Sequence, residues 1–93
     1  SQIAERRIQN LIKSYFSAYP EVILEMHEAL IIYVKNENID PPCIEIKKQN
    51  NGYEISFWDG YALSESQFED DEGKVLKILK TYVRKLAKNL RKT

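Results

Sequence analysis

The sequence predicts a single α+β domain over residues 1–93, with two N-terminal helices, a three-stranded antiparallel meander, and a long C-terminal helix packed on the sheet. Two early segments and the end of the chain carry apolar residues at helical spacing, which predicts the helices. A middle segment alternates apolar and polar residues between Asn and Gly turn signals, which predicts the strands. A chain of 93 residues has room for one modest core.

The first helix is predicted over residues 2–18, because apolar residues recur there on one face of a 3.6-residue repeat. The residues of this face are Ile8, Leu11, Ile12, Tyr15, Phe16 and Tyr19. Pro20 interrupts the pattern and suits the first turn of a new helix, so a second helix is predicted from Pro20 to Lys35.

The second predicted helix is apolar over much of its circumference. Its main stripe consists of Val22, Ile23, Met26, Ala29, Leu30, Tyr33 and Val34. Leu24, Ile31 and Ile32 widen this stripe, and a helix so apolar is covered on more than one side. We therefore expect Leu24, Ile31 and Ile32 to form a homodimer interface.

Residues 43–65 are predicted to form the meander. The segment 49–52, Gln-Asn-Asn-Gly, favours a hairpin, and a loop of two or four residues places Ile44 and Ile46 on the same face as Ile55 and Phe57. A three-residue loop at 58–60, with Gly60 left-handed, would pair Phe57 with Tyr61 in a third strand.

The last helix is predicted from Asp71 onward, with a core stripe at Val75, Leu79, Tyr82, Val83, Leu86 and Leu90. Its charge is one-sided, since residues 73–93 hold eight bases and no acid, whereas residues 1–72 hold fourteen acids and six bases. The bases on the side opposite the core stripe are Lys77, Lys80, Arg84, Lys88 and Arg91. Such a stripe suits an anionic partner, although a solvated face matched to the helix dipole has the same polarity.

Trp58 is the second candidate for partner binding. By alternation it belongs to the polar face of the sheet, beside a turn. An exposed tryptophan in that position is a candidate hot spot for a protein partner. The alternative is that the turn folds the indole back over the edge of the sheet or under the last helix.

Most enzyme classes lack support in this sequence. His27 and Cys43 are the sole residues of their types, so they supply two of the three or four ligands of a zinc site. Neither one neighbours a predicted helix N-terminus or glycine-rich turn that would activate a nucleophile. The three glycines form no phosphate-binding loop, and the acids of residues 65–72 suit a helix N-terminus better than a calcium loop. We expect no catalytic residues, no metal, no cofactor and no small-molecule substrate.

From Ile31 onward, the predicted order helix–strand–strand–strand–helix is similar in layout to a double-stranded-RNA-binding domain. That family places lysines at the start of its last helix, where this chain has four acids in residues 69–72. Membership is therefore not inferred.

The sequence thus favours a non-enzymatic protein-interaction module, a regulator or inhibitor of another macromolecule, with a protein or a second copy as its partner. The alternative is an RNA- or DNA-binding protein that uses the basic face of the last helix. A single cysteine, no apolar signal core in residues 1–7 and no apolar run of membrane-spanning length indicate a cytoplasmic protein without membrane contact.

Overall fold

In the computed structural model, which describes residues 5–91, one helix precedes a five-stranded antiparallel sheet and a second helix follows it. The elements are α1 (Glu5–Phe16), β1 (Val22–Met26), β2 (Ala29–Val34), β3 (Cys43–Gln49), β4 (Gly52–Trp58), β5 (Ser64–Glu69) and α2 (Glu72–Arg91). The strands lie in chain order, so each adjacent pair is a hairpin. Neither helix is long and apolar enough to cross a membrane.

The predicted second helix is wrong, because residues 22–34 form the hairpin of β1 and β2. This segment is rich in Val, Ile and Tyr, whose branched or aromatic side chains favour a pleated surface over a helix. A polar turn at His27 and Glu28 separates two apolar runs. The wide apolar circumference that suggested a covered helix is the sum of two sheet faces, since burial alternates residue by residue along β2.

The core lies between one face of the sheet and both helices. We call this sheet face the inner face. Its buried residues are Leu30, Ile32, Val34, Ile44, Ile46, Tyr53, Ile55 and Phe57. Ile8 and Phe16 of α1 belong to the same core cluster, as does the apolar stripe of α2. No helix of the described chain covers the opposite face, which we call the outer face.

The predicted β3–β4 hairpin is confirmed. A two-residue turn, Asn50 and Asn51, connects the strands, and Asn50 adopts a positive φ of 48°. The register pairs Ile44 with Phe57 on the inner face, as the parity of a two-residue loop requires.

The third predicted strand is misplaced. β5 begins at Ser64, and Phe57 pairs with Glu65, not with Tyr61. The loop between β4 and β5 therefore has five residues, 59–63, although Gly60 does have the predicted positive φ, 84°. Sequence reasoning missed β5 because its inner-face residues are polar: Glu65 pairs with Lys85, and the Gln67 amide donates to the Tyr82 hydroxyl at 3.2 Å. The five-strand order also ends the likeness to a double-stranded-RNA-binding domain.

The last helix is confirmed, with its bounds at Glu72–Arg91 and its predicted stripe buried. The acids before it cap its N-terminus. The Asp71 carboxylate accepts the Lys74 N–H at 2.9 Å, and the Glu69 carboxylate accepts the N–H groups of Asp70 and Asp71 at 3.2 and 3.3 Å. These bonds satisfy donors that a helix start otherwise leaves unpaired.

We expect Phe57→Ala to lower the free energy of unfolding by about 3–5 kcal/mol, because it empties a core site. Phe57 is 3% exposed, and its ring stacks on Tyr82 with a centroid distance of 5.6 Å. Urea denaturation measures the loss. Phe68→Ala is the matched control, since Phe68 is 53% exposed and should change stability far less. Equal losses in the two variants would contradict the placement of the core.

Candidate functional site

Two loops come together at one end of the sheet. They are the β2–β3 connector, residues 35–42, and the β4–β5 loop, residues 59–63. In an antiparallel sheet with strands in chain order, these two connections lie at the same end. We call them together the loop rim. The side chain of Ile39 in the first loop is 100% exposed and that of Tyr61 in the second is 90% exposed.

The β4–β5 loop is organised by one carboxylate. The Asp59 Oδ1 accepts the N–H groups of Tyr61, Ala62 and Leu63 at 2.8, 2.8 and 2.9 Å. Desolvation raises the pKa of Asp59, but these backbone N–H groups outweigh it and hold the pKa below its ordinary value. The Asp59 N–H also donates to the Leu63 carbonyl at 3.0 Å, which closes the base of the loop.

The β2–β3 connector is organised by two asparagines and is joined to the neighbouring loop. The Asn36 side chain accepts the Asn38 N–H at 2.8 Å, and the Asn38 side chain accepts the Asp40 N–H at 3.1 Å. The Asn38 amide donates to the Gly60 carbonyl at 3.4 Å, across to the other loop. Both loops therefore have defined shapes, and the exposed side chains of the loop rim project from a fixed frame.

Trp58 supports this frame. Its side chain is half-buried, and its indole N–H donates to the Asp40 carbonyl at 3.1 Å. The indole therefore folds toward the β2–β3 connector at the end of the sheet, and neither over an edge strand nor under the last helix. The same residue still belongs to the outer face of the sheet, so its exposed part lies beside the loop rim.

An apolar row crosses the outer face and ends at Trp58. The register places Ile23 beside Tyr33, Tyr33 beside Cys43, and Cys43 beside Trp58. All four side chains are half-buried. Burial, with smaller contributions from Glu45 and Asp40, raises the pKa of the Cys43 thiol, which keeps it protonated and unreactive.

The predicted basic residues of α2 all face solvent: Lys77, Lys80, Arg84, Lys88 and Arg91. Arg84 also donates through its Nε to the Tyr15 hydroxyl at 3.1 Å, which links α2 to α1. α1 adds three exposed bases, Arg6, Arg7 and Lys13. Sequence reasoning missed these three, although their positions opposite the apolar stripe of α1 could have placed them beside the basic face of α2.

Charge is divided between the two layers of the molecule. The segments of the two helices, residues 5–16 and 72–91, hold ten bases and two acids. The sheet and its loops, residues 17–71, hold three bases and twelve acids. The basic layer thus includes α1, which belongs to the acidic part of the sequence, and most of the acids lie in the sheet and its loops.

The three residues predicted for a homodimer do not share a surface. Ile32 is 0% exposed and belongs to the core, which excludes it from an interface. Ile31 lies on the outer face, and Leu24 lies on β1, half-buried against the core. The helical arrangement that grouped them does not exist, because adjacent strand residues point to opposite faces.

The residues considered for chemistry are not assembled into a reactive site. His27 is exposed in the β1–β2 turn, far along the strands from Cys43 at the start of β3. Within residues 5–91, no three His, Cys, Asp or Glu side chains converge as metal ligands. The chain matches no known protein family, no curated protein and no solved structure.

We expect Gly60→Ala to destabilise the protein by about 1 kcal/mol or more, because Gly60 has positive φ. A Cβ there would also lie 2.7 Å from the Pro42 Cδ. Gly73→Ala is the matched control, since Gly73 is exposed in the first turn of α2, where alanine favours the helix. Thermal denaturation should show a lower Tm for the first variant and an unchanged or higher Tm for the second. The reverse order would contradict the loop geometry.

Proposed function

We propose that this chain is a non-enzymatic protein-interaction module that regulates or inhibits a partner protein, and that the loop rim is its contact surface. The observation that carries the proposal is the full exposure of Ile39 on a connector held by four hydrogen bonds. A large apolar side chain presented on a fixed loop contributes nothing to the core, and its burial against a partner is favourable.

The free energies of burial are large enough for a few exposed side chains to anchor a partner. Burying one side chain such as Ile39 or Tyr61 contributes roughly 1.5–3 kcal/mol. Anchors of this kind carry most of the binding energy of an interface, and fixed loops lower the ordering cost of binding. Tyr61 also offers a hydroxyl that can hydrogen-bond at the edge of a contact.

The charges around the anchors indicate the chemistry of the partner. Glu37, Asp40 and Asp59 lie in the same two loops as Ile39 and Tyr61. An apolar cleft bordered by Lys or Arg would accept the anchors and pair with these acids. Complementary charge would then speed association and select the partner. The same acids disfavour nucleic acid and anionic lipid at this surface.

A second candidate function, RNA or DNA binding, rests on the division of charge between the layers. Acids dominate the chain outside the helices, but apart from Glu65 and the acids at the start of α2 they lie in the other layer of a molecule whose smallest dimension is 22 Å. The Debye length is about 8 Å at physiological ionic strength, so a nucleic acid on the helices is largely screened from the far acids. The exposed bases of α1 widen the cationic surface beyond a single helix.

For the protein-binding proposal, the decisive variant is Ile39→Ser combined with Tyr61→Ser. Once a partner has been purified, we expect this variant to lose at least tenfold in affinity by calorimetry, because it removes both anchors. Folding should be preserved, since both side chains face solvent. Phe68→Ser is the control, an exposed aromatic at the opposite end of β5. Equal affinity of wild type and double variant would refute the loop rim as the contact surface.

For the second candidate, Lys77, Lys80, Arg84 and Lys88 are replaced with Gln, which preserves helix propensity. The protein-binding proposal predicts no saturable binding of generic RNA or DNA by wild type at physiological salt. If wild type binds duplex DNA through four phosphate contacts, the logarithm of its association constant should fall with the logarithm of the salt concentration with a slope of about −4. The variant should lose this binding. Replacing Lys35, Lys47 and Lys48 with Gln is the control for charge outside the helices. Binding lost with the helix variant alone would establish the nucleic-acid function.

A further inference from the structure

The two edge strands of the sheet differ in how they are protected. β5 has the sequence Ser-Glu-Ser-Gln-Phe-Glu, and its inward-pointing Glu65 and Glu69 would place charge in any continued core. Natural sheets use polar edges and inward charges to prevent further strand pairing. β1 has the sequence Val-Ile-Leu-Glu-Met and contains no Lys, no Pro and no inward charge. β1 is therefore the edge that is open to another strand.

The backbone groups on the open edge can be identified. The Glu21 carbonyl accepts the Lys35 N–H at 2.7 Å, and the His27 N–H donates to the Ala29 carbonyl at 3.1 Å. Bonding directions alternate along an antiparallel strand, so the odd-numbered residues of β1 bond to β2. The N–H and C=O groups of Leu24 and Met26, and the C=O of Val22, therefore point away from the sheet without a partner strand, whereas the Val22 N–H donates to the Tyr19 carbonyl at 3.1 Å. Within the described chain, β1 pairs with β2 alone.

We propose that β1 pairs with β1 of a second copy, in an antiparallel register centred on Leu24. Only this register sets all three outward residues opposite one another: Leu24 faces Leu24, and Val22 faces Met26 of the second copy. About four interchain hydrogen bonds would form, because the N–H of Val22 already donates to the Tyr19 carbonyl. A two-fold axis at Leu24 makes the interface closed and self-complementary, as in most homodimers.

The side chains suit the same register. On the inner face, Met26, which is 44% exposed in the single chain, meets Val22 of the second copy. On the outer face, Glu25 lies beside Ile23, and Glu21 lies beside His27, which can donate a hydrogen bond to the carboxylate. Shifting the register by two residues in one direction brings Pro20, which has no N–H, opposite Met26. Shifting it by two in the other direction places Glu25 opposite Glu25.

The test measures mass at high micromolar concentration by sedimentation equilibrium, with Met26→Pro as the variant. This change removes an outward N–H and leaves the β1–β2 hydrogen bonds intact. Ser66→Pro is the matched control, because its N–H points outward from β5. We expect wild type and Ser66→Pro to have the mass of two chains, and Met26→Pro that of one. A monomeric wild type, or a dimer that Met26→Pro leaves intact, would overturn the proposal.

A disulfide test is independent of the folding of the proline variant. In a Cys43→Ser background, Leu24→Cys places two thiols across the two-fold axis, with Cα atoms about 5.5 Å apart, within disulfide range. Mild oxidation should link this variant into covalent dimers far faster than Ser66→Cys in the same background. Equal rates would refute the register. If wild type is a monomer and Met26→Pro abolishes its binding to a purified partner protein, the edge of β1 binds that partner and self-pairing is refuted.

Discussion

The packing of α2 on one face of the sheet is the interaction on which the rest of the structure depends. Leu79, Val83 and Leu86 of this helix are fully buried, and Tyr82 stacks on Phe57 near the end of β4. A chain of 93 residues has apolar side chains for one such layer interface. α1 joins the same side through Ile8 and Phe16, so the described helices cover a single face and leave the other open.

This one-sided arrangement explains where the functional candidates lie. The helices must expose their outer sides to water, and these sides carry the bases. The acids are left to the sheet, its turns and its loops, where three of them border Ile39 and Tyr61. Two polar residues of β5 that point to the core side of the sheet find partners on α2: Glu65 pairs with Lys85, and Gln67 donates to the Tyr82 hydroxyl. Large exposed apolar side chains remain in the described chain at the loop rim, at Met26 of β1 and at Phe68 of β5. The edge of β1 combines such a side chain with backbone groups that have no partner strand.

The sequence was sufficient to predict the elements whose apolar pattern has one periodicity. The core stripe of α2 and the shared face of Ile44, Ile46, Ile55 and Phe57 follow directly from spacing and turn chemistry. Residues 22–34 were assigned wrongly because an apolar run on a sheet's two faces can also match helical spacing. The β-branched residues of that run, and the polar pair His27 and Glu28 in its middle, were the available evidence for a hairpin.

The candidate site was harder to predict than the fold. The exposure of Ile39 and Tyr61 depends on hydrogen bonds between residues far apart in sequence, such as Asn38 with Gly60, which no local pattern encodes. Trp58 was correctly placed on the outer face, but its bond to the Asp40 carbonyl depends on the path of a loop. β5 was not predicted at its observed position because the side chains that contact α2 are polar, so the strand lacks an alternating apolar pattern.

The central claim is that residues 22–34 form the hairpin that completes a five-stranded, one-sided sheet, and nuclear Overhauser contacts test it directly. The even-numbered pairs of β1 and β2 are not hydrogen-bonded, so their Cα atoms lie about 4.5 Å apart and their Hα atoms are closer still. We expect strong Hα–Hα contacts between Leu24 and Ile32 and between Met26 and Leu30. Contacts between residues i and i+3 throughout this segment, with no Hα–Hα contacts across the turn, would show a helix and contradict the account.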